Sequence, residues 1–243
     1  MRSFWLYARS LLWLIYTIPA QLSLSRKKKT LSPKAYQEFC DDVGRRFSVS
    51  QFRFTGSCVN VKGLENIPEE AVLFVSNHQS YFDIGVFLGY IPKPMGFVAK
   101  AELSKIPVLK RWMEEIRCVF LDRSDIRKSA KAITDGIEIL KSGRSLVIFP
   151  EGTRSQGAQM LDFKAGSFKL ATKAKVPIVP VSIDGTYKIL EGNNGWLRAA
   201  QVEVYVHEAI PTHDLTAEEA AALPGRVREI IGSKIRKEYT PNA

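Results

Sequence analysis

Ala71-Val72-Leu73-Phe74-Val75-Ser76-Asn77-His78-Gln79-Ser80-Tyr81-Phe82-Asp83-Ile84-Gly85-Val86-Phe87-Leu88 is the stretch on which the fold turns. Ala71–Val75 is a short continuous apolar run, which reads as a strand buried on both faces. Ile84–Leu88 is apolar again and reads as a buried helix. Ser80 is placed as the N-cap of that helix, with Asp83 three residues on in a capping-box-like position. A buried strand that passes through a polar turn into a buried helix is the repeating unit of a layered α/β domain.

The polar turn holds a candidate reactive pair. Five residues apart on a regular helix, His78 and Asp83 would face different directions. Across a strand-to-helix turn, Asp83 can fold back onto the imidazole. A carboxylate on one ring nitrogen fixes the tautomer and leaves the other nitrogen as a proton acceptor. Ser80 is the nearest potential nucleophile, and its capping role is the simpler reading. A base without a protein nucleophile acts directly on a substrate hydroxyl or on water. A capped helix with an incidental histidine accounts for the same residues equally well.

Working outward, strands and helices alternate. Ser57–Lys62, Gly96–Lys100, Arg117–Leu121, Ser145–Phe149, Val176–Ile183 and Val202–His207 read as strands. Pro107 opens a helix. Ile126, Ala130, Ile133, Ile137 and Leu140 recur at steps of four and three, an amphipathic helix stopped at Gly143. Lys164–Ala174 is helical, and Thr216 with Glu219 caps a last helix. The expectation is a single layered α/β domain over 57–243, with a central mixed sheet flanked by helices. Residues 1–56 are expected to form an N-terminal membrane-associated two-helix segment.

That expectation rests on charge and length. The chain of 243 residues is long enough for one full core, and its hydrophobic content of 45% excludes a disordered chain. Seven of its ten net positive charges fall in residues 1–34, which contain no acidic residue. A nucleic-acid binder would spread its charge; a basic flank beside apolar residues reads as attraction to an anionic membrane. Residues 10–25 lack charge, and sixteen helical residues cover roughly 24 Å, short of a hydrocarbon core of about 30 Å. Trp5, Tyr7, Trp13 and Tyr16 suit the headgroup region. An interfacial or half-inserted helix followed by Arg26–Lys29 is the reading; a single span and a signal peptide are its rivals. A second helix starts with Ser32 as N-cap and Pro33 at its first position. Its apolar stripe, Tyr36, Phe39, Cys40, Val43 and Phe47, fits either a core face or a membrane foot. The three scattered cysteines and three histidines give neither a disulfide framework nor a metal knuckle.

A second polar block, Phe149-Pro150-Glu151-Gly152-Thr153-Arg154-Ser155, leaves another buried strand. Ligands of open α/β sheets commonly bind at strand C-terminal ends. Arg154 is a planar cation suited to a phosphate, and Gly152 permits close backbone approach. Arg123 stands just after a different strand and can converge on the same spot. A surface loop with a Glu151–Arg154 ion pair is the plainer alternative.

Taken together, these blocks resemble the glycerolipid acyltransferase family. Asn77–Asp83 looks like its Asn-His-x4-Asp block, Phe120–Arg123 like its arginine block, and Phe149–Ser155 like its Phe-Pro-Glu-Gly-Thr-Arg-Ser block. Val176–Val181 is similar to its proline-containing fourth block, and Phe163–Phe168 also looks familiar from that family. Order and spacing agree over about residues 57–210. Within the family, the resemblance is to the bacterial 1-acyl-glycerol-3-phosphate (lysophosphatidic acid) acyltransferases. It implies that His78 is the general base and Asp83 its partner. Arg123, Glu151, Gly152, Thr153 and Arg154 would bind the glycerol phosphate, with Asn77, Ser80 and Lys100 in support. The reaction so implied moves a fatty acyl group from acyl-CoA or acyl carrier protein to lysophosphatidic acid, giving phosphatidic acid. No metal, cofactor or nucleic acid is expected, the lipid bilayer is a partner, and the protein is expected on the cytoplasmic face of the inner membrane, monotopic. Another acceptor, such as a lyso-ornithine lipid or lysophospholipid, would use the same blocks. A lipid hydrolase is disfavoured, since no Gly-x-Ser-x-Gly elbow occurs. A non-catalytic membrane-binding protein would not need the His78–Asp83 pair.

Overall fold

The computed structural model describes Phe4, Ala8, residues 21–24 and residues 26–236. Seven strands form one sheet: β1 (Cys58–Lys62), β2 (Leu73–Ser76), β3 (Met95–Lys100), β4 (Val119–Leu121), β5 (Ser145–Ile148), β6 (Ile178–Asp184) and β7 (Gln201–Val206). Their spatial order is β1-β7-β6-β2-β5-β3-β4. Only β6 and β7 run antiparallel; every other neighbouring pair is parallel. The expected mixed sheet flanked by helices is therefore the architecture found.

Its centre explains the apolar runs. β2, β5 and β6 are buried at every position, whereas β7 alternates between buried and more exposed residues. A strand covered on both faces has no solvent side to mark with polar residues. Phe74, Val147, Val179 and Val181 face α1 (Pro33–Thr55) and α2 (Phe82–Tyr90). Leu73, Val75, Leu146, Ile148 and Ile178 face α4 (Ile126–Lys141), α5 (Lys169–Ala174) and α6 (Ala217–Gly232). Helix α3 spans Pro107–Glu115 with its proline in the first turn.

Helix boundaries follow local chemistry. Ser32 caps α1 by accepting from Ala35 N–H, and Gly56 ends it in the left-handed conformation at φ 75°. Asp125 caps α4, and Thr216 with Glu219 forms the full capping box of α6. The expected helix over Lys164–Ala174 divides into a 3-10 turn, Ala165–Phe168, and α5. Pro180 lies inside β6 rather than at a sheet edge. It is tolerated because pairing slips there. Ile178 bridges Ile210 while Val181 pairs with Val206, so Val179 and Pro180 oppose the three residues His207, Glu208 and Ala209.

Helix α1 is not a free-standing foot. Phe52 is fully buried, edge-on to Phe82 at 5.5 Å and to Tyr90 at 5.3 Å. Asp41 receives two hydrogen bonds from the buried Arg144 guanidinium, at 2.6 and 3.2 Å. The same guanidinium donates to the carbonyls of Met95 and Ile116. Of the segment before it, Leu24 is buried in the α1 face of the core, and Gln21 donates to the Val108 carbonyl at 2.8 Å. Lys27 sits over the Phe39 ring at 4.4 Å. Among the described residues no helix is long and apolar enough to cross a membrane. The expected interfacial helix lies largely outside the described residues.

Candidate active site

The C-terminal ends of β2, β5 and β6 lie side by side, and each runs into a loop that contributes to one polar cluster. The loop after β2 is anchored first by Asn77. Its amide donates to the Ile183 carbonyl at 2.8 Å and accepts from the Ile183 N–H at 2.9 Å, so a side chain completes the edge of β6. Gln79 Oε1 accepts from Gly185 N–H at 3.0 Å. These two contacts fix the backbone on either side of His78.

Asp83 folds back onto His78. Its Oδ2 lies 2.7 Å from His78 Nδ1 and also accepts from the N–H groups of Gln79 at 2.7 Å and Ser80 at 2.8 Å. Oδ1 accepts from Thr186 Oγ1 at 2.5 Å. The carboxylate is 0% exposed and every neighbour named is a donor, so Nδ1 carries the hydrogen and Nε2 is the acceptor. Among the described residues Nε2 has no hydrogen-bond partner, and the side chain is 16% exposed. The ring stacks on Phe149 with centroids 4.1 Å apart. The helix is entered one residue later than expected. Ser80 Oγ accepts from Phe82 N–H at 3.1 Å, and Tyr81 holds the formal cap position. Asp83 still makes the reverse half of a capping box through Ser80 N–H.

The loop after β5 clamps the histidine backbone. Glu151 is buried; its Oε1 accepts from His78 N–H at 2.6 Å and its Oε2 from Leu161 N–H at 2.8 Å. Burial pushes its carboxyl above the ordinary carboxylate range, opposed by those two amide bonds. Ser155 N–H closes the clamp on the His78 carbonyl at 2.7 Å. Gly152 sits at φ 76°, and Arg123 Nη1 donates to its carbonyl at 2.9 Å. A Cβ on Gly152 would lie 2.1 Å from that Nη1. Arg123 and the Glu151–Arg154 loop thus converge as expected. Gly152→Ala is expected to lower stability by about 1–2 kcal/mol for the left-handed backbone alone. A thermal melt should show a drop of roughly 2–8 °C, and the Arg123 contact is lost.

Arg154 does not pair with Glu151. Its Nη1 donates to Glu191 Oε1 at 2.9 Å, and its guanidinium lies over the Tyr81 ring at 3.5 Å. Glu191 also accepts from Ser80 Oγ at 2.7 Å and Tyr81 N–H at 3.0 Å. Thr153 is exposed, as is Lys100 at the end of β3. Lys100 is in register with Leu121, two residues before Arg123. Thr186 and Glu191 are the residues that sequence reading missed. Thr186 follows the apolar β6 run at the distance a loop residue of this edge would occupy, which is a usable signal. Glu191 sits in Glu-Gly-Asn-Asn-Gly, a turn-rich stretch without periodicity, and offers none. His207 lies away from this cluster. It contacts Ser182 Oγ at 2.7 Å beside α6, and burial pushes its pKa down. His213 is exposed next to Asp214.

Fold and site together define an α/β protein with a His–Asp dyad at the C-terminal edge of its sheet, beside two arginines. The sequence profile described as Acyltransferase matches residues 58–184, and the chain belongs to that family. It is 32% identical over 181 residues to a 1-acyl-sn-glycerol-3-phosphate acyltransferase of Borreliella burgdorferi, covering 74% of this chain and 72% of that one. A chloroplast protein of the same name from Arabidopsis thaliana is 37% identical over 155 residues, 63% of this chain and 43% of that one. The chain spans about half the length of the first curated relatives it matches, from 43% to 55%. The crystal structure of the 1-acyl-sn-glycerophosphate acyltransferase PlsC from Thermotoga maritima superposes with a TM-score of 0.83 at 29% identity. That match covers 96% of this chain and 93% of the other.

Proposed function

We propose that the protein transfers a fatty acyl group from a thioester to the free hydroxyl of 1-acyl-glycerol-3-phosphate, producing phosphatidic acid. The observation that carries this reading is the 2.7 Å His78–Asp83 contact, with Nε2 left free beside a loop bearing Arg154. Nε2 takes the proton of the acceptor hydroxyl as its oxygen attacks the thioester carbonyl. The tetrahedral intermediate collapses, the carbon–sulfur bond breaks, and the thiolate takes the proton from the imidazolium. Asp83 stabilises that imidazolium and holds the ring in place. Coenzyme A or acyl carrier protein carries the donor. Arg123 and Arg154 hold the phosphate, and Glu151 holds the backbone of His78. Gly152 keeps the loop close to Arg123. The relatives' names, which specify this acceptor, support the reading.

Purified protein in detergent, assayed against a panel of lysolipids with acyl-CoA and acyl carrier protein donors, tests the assignment. Lysophosphatidic acid is expected to have the highest kcat/KM. Preference for a lyso-ornithine lipid or a neutral-headgroup lysophospholipid would reassign the acceptor. Arg154→Ala is expected to raise the acceptor KM by roughly 10- to 100-fold, the loss of one charged hydrogen bond of about 1.5–3 kcal/mol, with the donor KM little changed. Equal effects on both substrates would place Arg154 on the donor side.

Residues 1–30 hold the protein on the cytoplasmic face of the inner membrane without crossing it. The charge of Arg26–Lys29 and the sixteen uncharged residues before them support this. Each cation near an anionic surface is worth about 1 kcal/mol. Single cysteines at Ser3 and Thr30, in a background without the native cysteines, should both label from the cytoplasmic side of sealed vesicles. Labelling from opposite sides would establish a spanning helix.

A further inference from the structure

Glu191 joins the two halves of the candidate site, and nothing in the mechanism above uses it. Its side chain is 6% exposed and carries a negative charge next to the arginine assigned to a negatively charged phosphate. On electrostatics alone that is a poor arrangement, since the carboxylate competes with phosphate for Arg154. The geometry points to a different gain. One oxygen receives both Arg154 Nη1 at 2.9 Å and Tyr81 N–H at 3.0 Å, and the other receives Ser80 Oγ at 2.7 Å. Ser80 and Tyr81 belong to the loop whose N–H groups hold Asp83, and Asp83 holds His78. Tyr81 in turn supports the flat face of the same guanidinium at 3.5 Å. A long, flexible arginine is thereby tied at its tip to the loop that carries the base.

We propose that Glu191 is a positioning residue that fixes the spacing between Arg154 and His78, and so sets which hydroxyl the site acylates. This rests on the reading of Arg154 as a phosphate ligand. With both points fixed, the site accepts an ester whose phosphate and free hydroxyl stand on adjacent carbons. It disfavours the isomer whose hydroxyl is one carbon further away. A remote contact that orients a substrate is worth much in rate because misplacement by about 1 Å can cost on the order of 100-fold.

The test uses the full chain with acyl-CoA and two non-migrating ether acceptors, 1-O-alkyl- and 2-O-alkyl-glycerol-3-phosphate. Glu191→Ala is expected to raise the KM of the 1-O-alkyl acceptor about tenfold, the equivalent of one charge-assisted hydrogen bond, and to leave the donor KM unchanged. It should also reduce the preference for that acceptor over its isomer about tenfold. Glu191→Gln keeps the shape and one acceptor oxygen, so it should retain most of the preference. Glu191→Asp, one methylene shorter, cannot span Arg154 and the Ser80–Tyr81 backbone together; it should lose the preference as alanine does, and it carries the test if the alanine variant does not fold. In an Arg154→Ala background, Glu191→Ala should add little. An unchanged or lowered acceptor KM in folded Glu191→Ala or Glu191→Asp, with the isomer preference intact, overturns the proposal. If Arg154→Ala itself leaves the acceptor KM unchanged, the phosphate role of Arg154 falls first, and the positioning role falls with it.

Discussion

His78→Ala is expected to lower kcat for acyl transfer by about 10²–10⁴-fold, the usual contribution of a general base. The chain should remain folded. Among the described residues, the side chain makes one stacking contact, with Phe149, and one hydrogen bond, with Asp83. The backbone of residue 78 is held independently by Glu151 and by Ser155 N–H. Truncation at Cβ therefore removes the proton acceptor while the clamp stays closed. Circular dichroism and a thermal melt report on the fold, and phosphatidic acid formation reports on the chemistry. A folded variant with near-normal turnover would remove the proposed mechanism.

Asp83→Asn should cost nearly as much in rate, on the order of 10²–10⁴-fold, through a different route. The buried Oδ2 faces three N–H donors, and Oδ1 faces the Thr186 hydroxyl. An asparagine can keep its oxygen toward the three donors and turn its NH2 toward Thr186, which can rotate to accept. The ring orientation and the proton on Nδ1 then survive. What is lost is the negative charge that stabilises the imidazolium formed during transfer. Asp83→Ala is a harsher change. It leaves three buried donors without a partner, each unmade bond costing about 1–3 kcal/mol. The pair of variants separates the two roles. Asparagine should give a stable, slow protein, and alanine an unstable one. An asparagine variant with wild-type kcat would mean that the charge on Asp83 has no part in the reaction.

Much of this site was legible because its logic is local. The apolar run into a polar turn places His78 and Asp83 at the end of a strand, and their folding back needs only that turn. The caps at Ser32 and at Thr216 with Glu219 are equally local, and the structure has them as read. Ser80 shows where local reading stops. Its hydroxyl does bond the helix start, but it also donates to Glu191, and the helix proper begins at Phe82. The plainer alternative for the second block, a Glu151–Arg154 ion pair, is not made, for a related reason. Three residues apart in a loop, the two could meet, yet Glu151 turns inward to two backbone amides and Arg154 turns outward to Glu191.

The order of strands was not legible. β1 and β7 are 143 residues apart in their register, and nothing in either strand names the other. The stripe on α1 posed a further ambiguity, because an apolar helix face is the same whether it meets a bilayer or a sheet. The Phe52 contacts with α2 and the Asp41–Arg144 bond show α1 packed on the α/β domain. Proline removes a ladder donor and is ordinarily confined to sheet edges, yet Pro180 stands in an interior strand. The one-residue slip against 207–209 supplies the opening inside the sheet.

Direct acyl transfer to a lipid hydroxyl, with His78 as the base, requires that the acyl group never rest on the protein. A radiolabelled acyl group followed from acyl-CoA, with and without lysophosphatidic acid, reads this out. Labelled phosphatidic acid and free coenzyme A are expected only when the acceptor is present, with no label retained on the protein and almost no product from His78→Ala. Labelled protein before acceptor is added, release of free fatty acid at the same rate without it, or undiminished product from the folded His78→Ala variant would rule out direct transfer with His78 as the base.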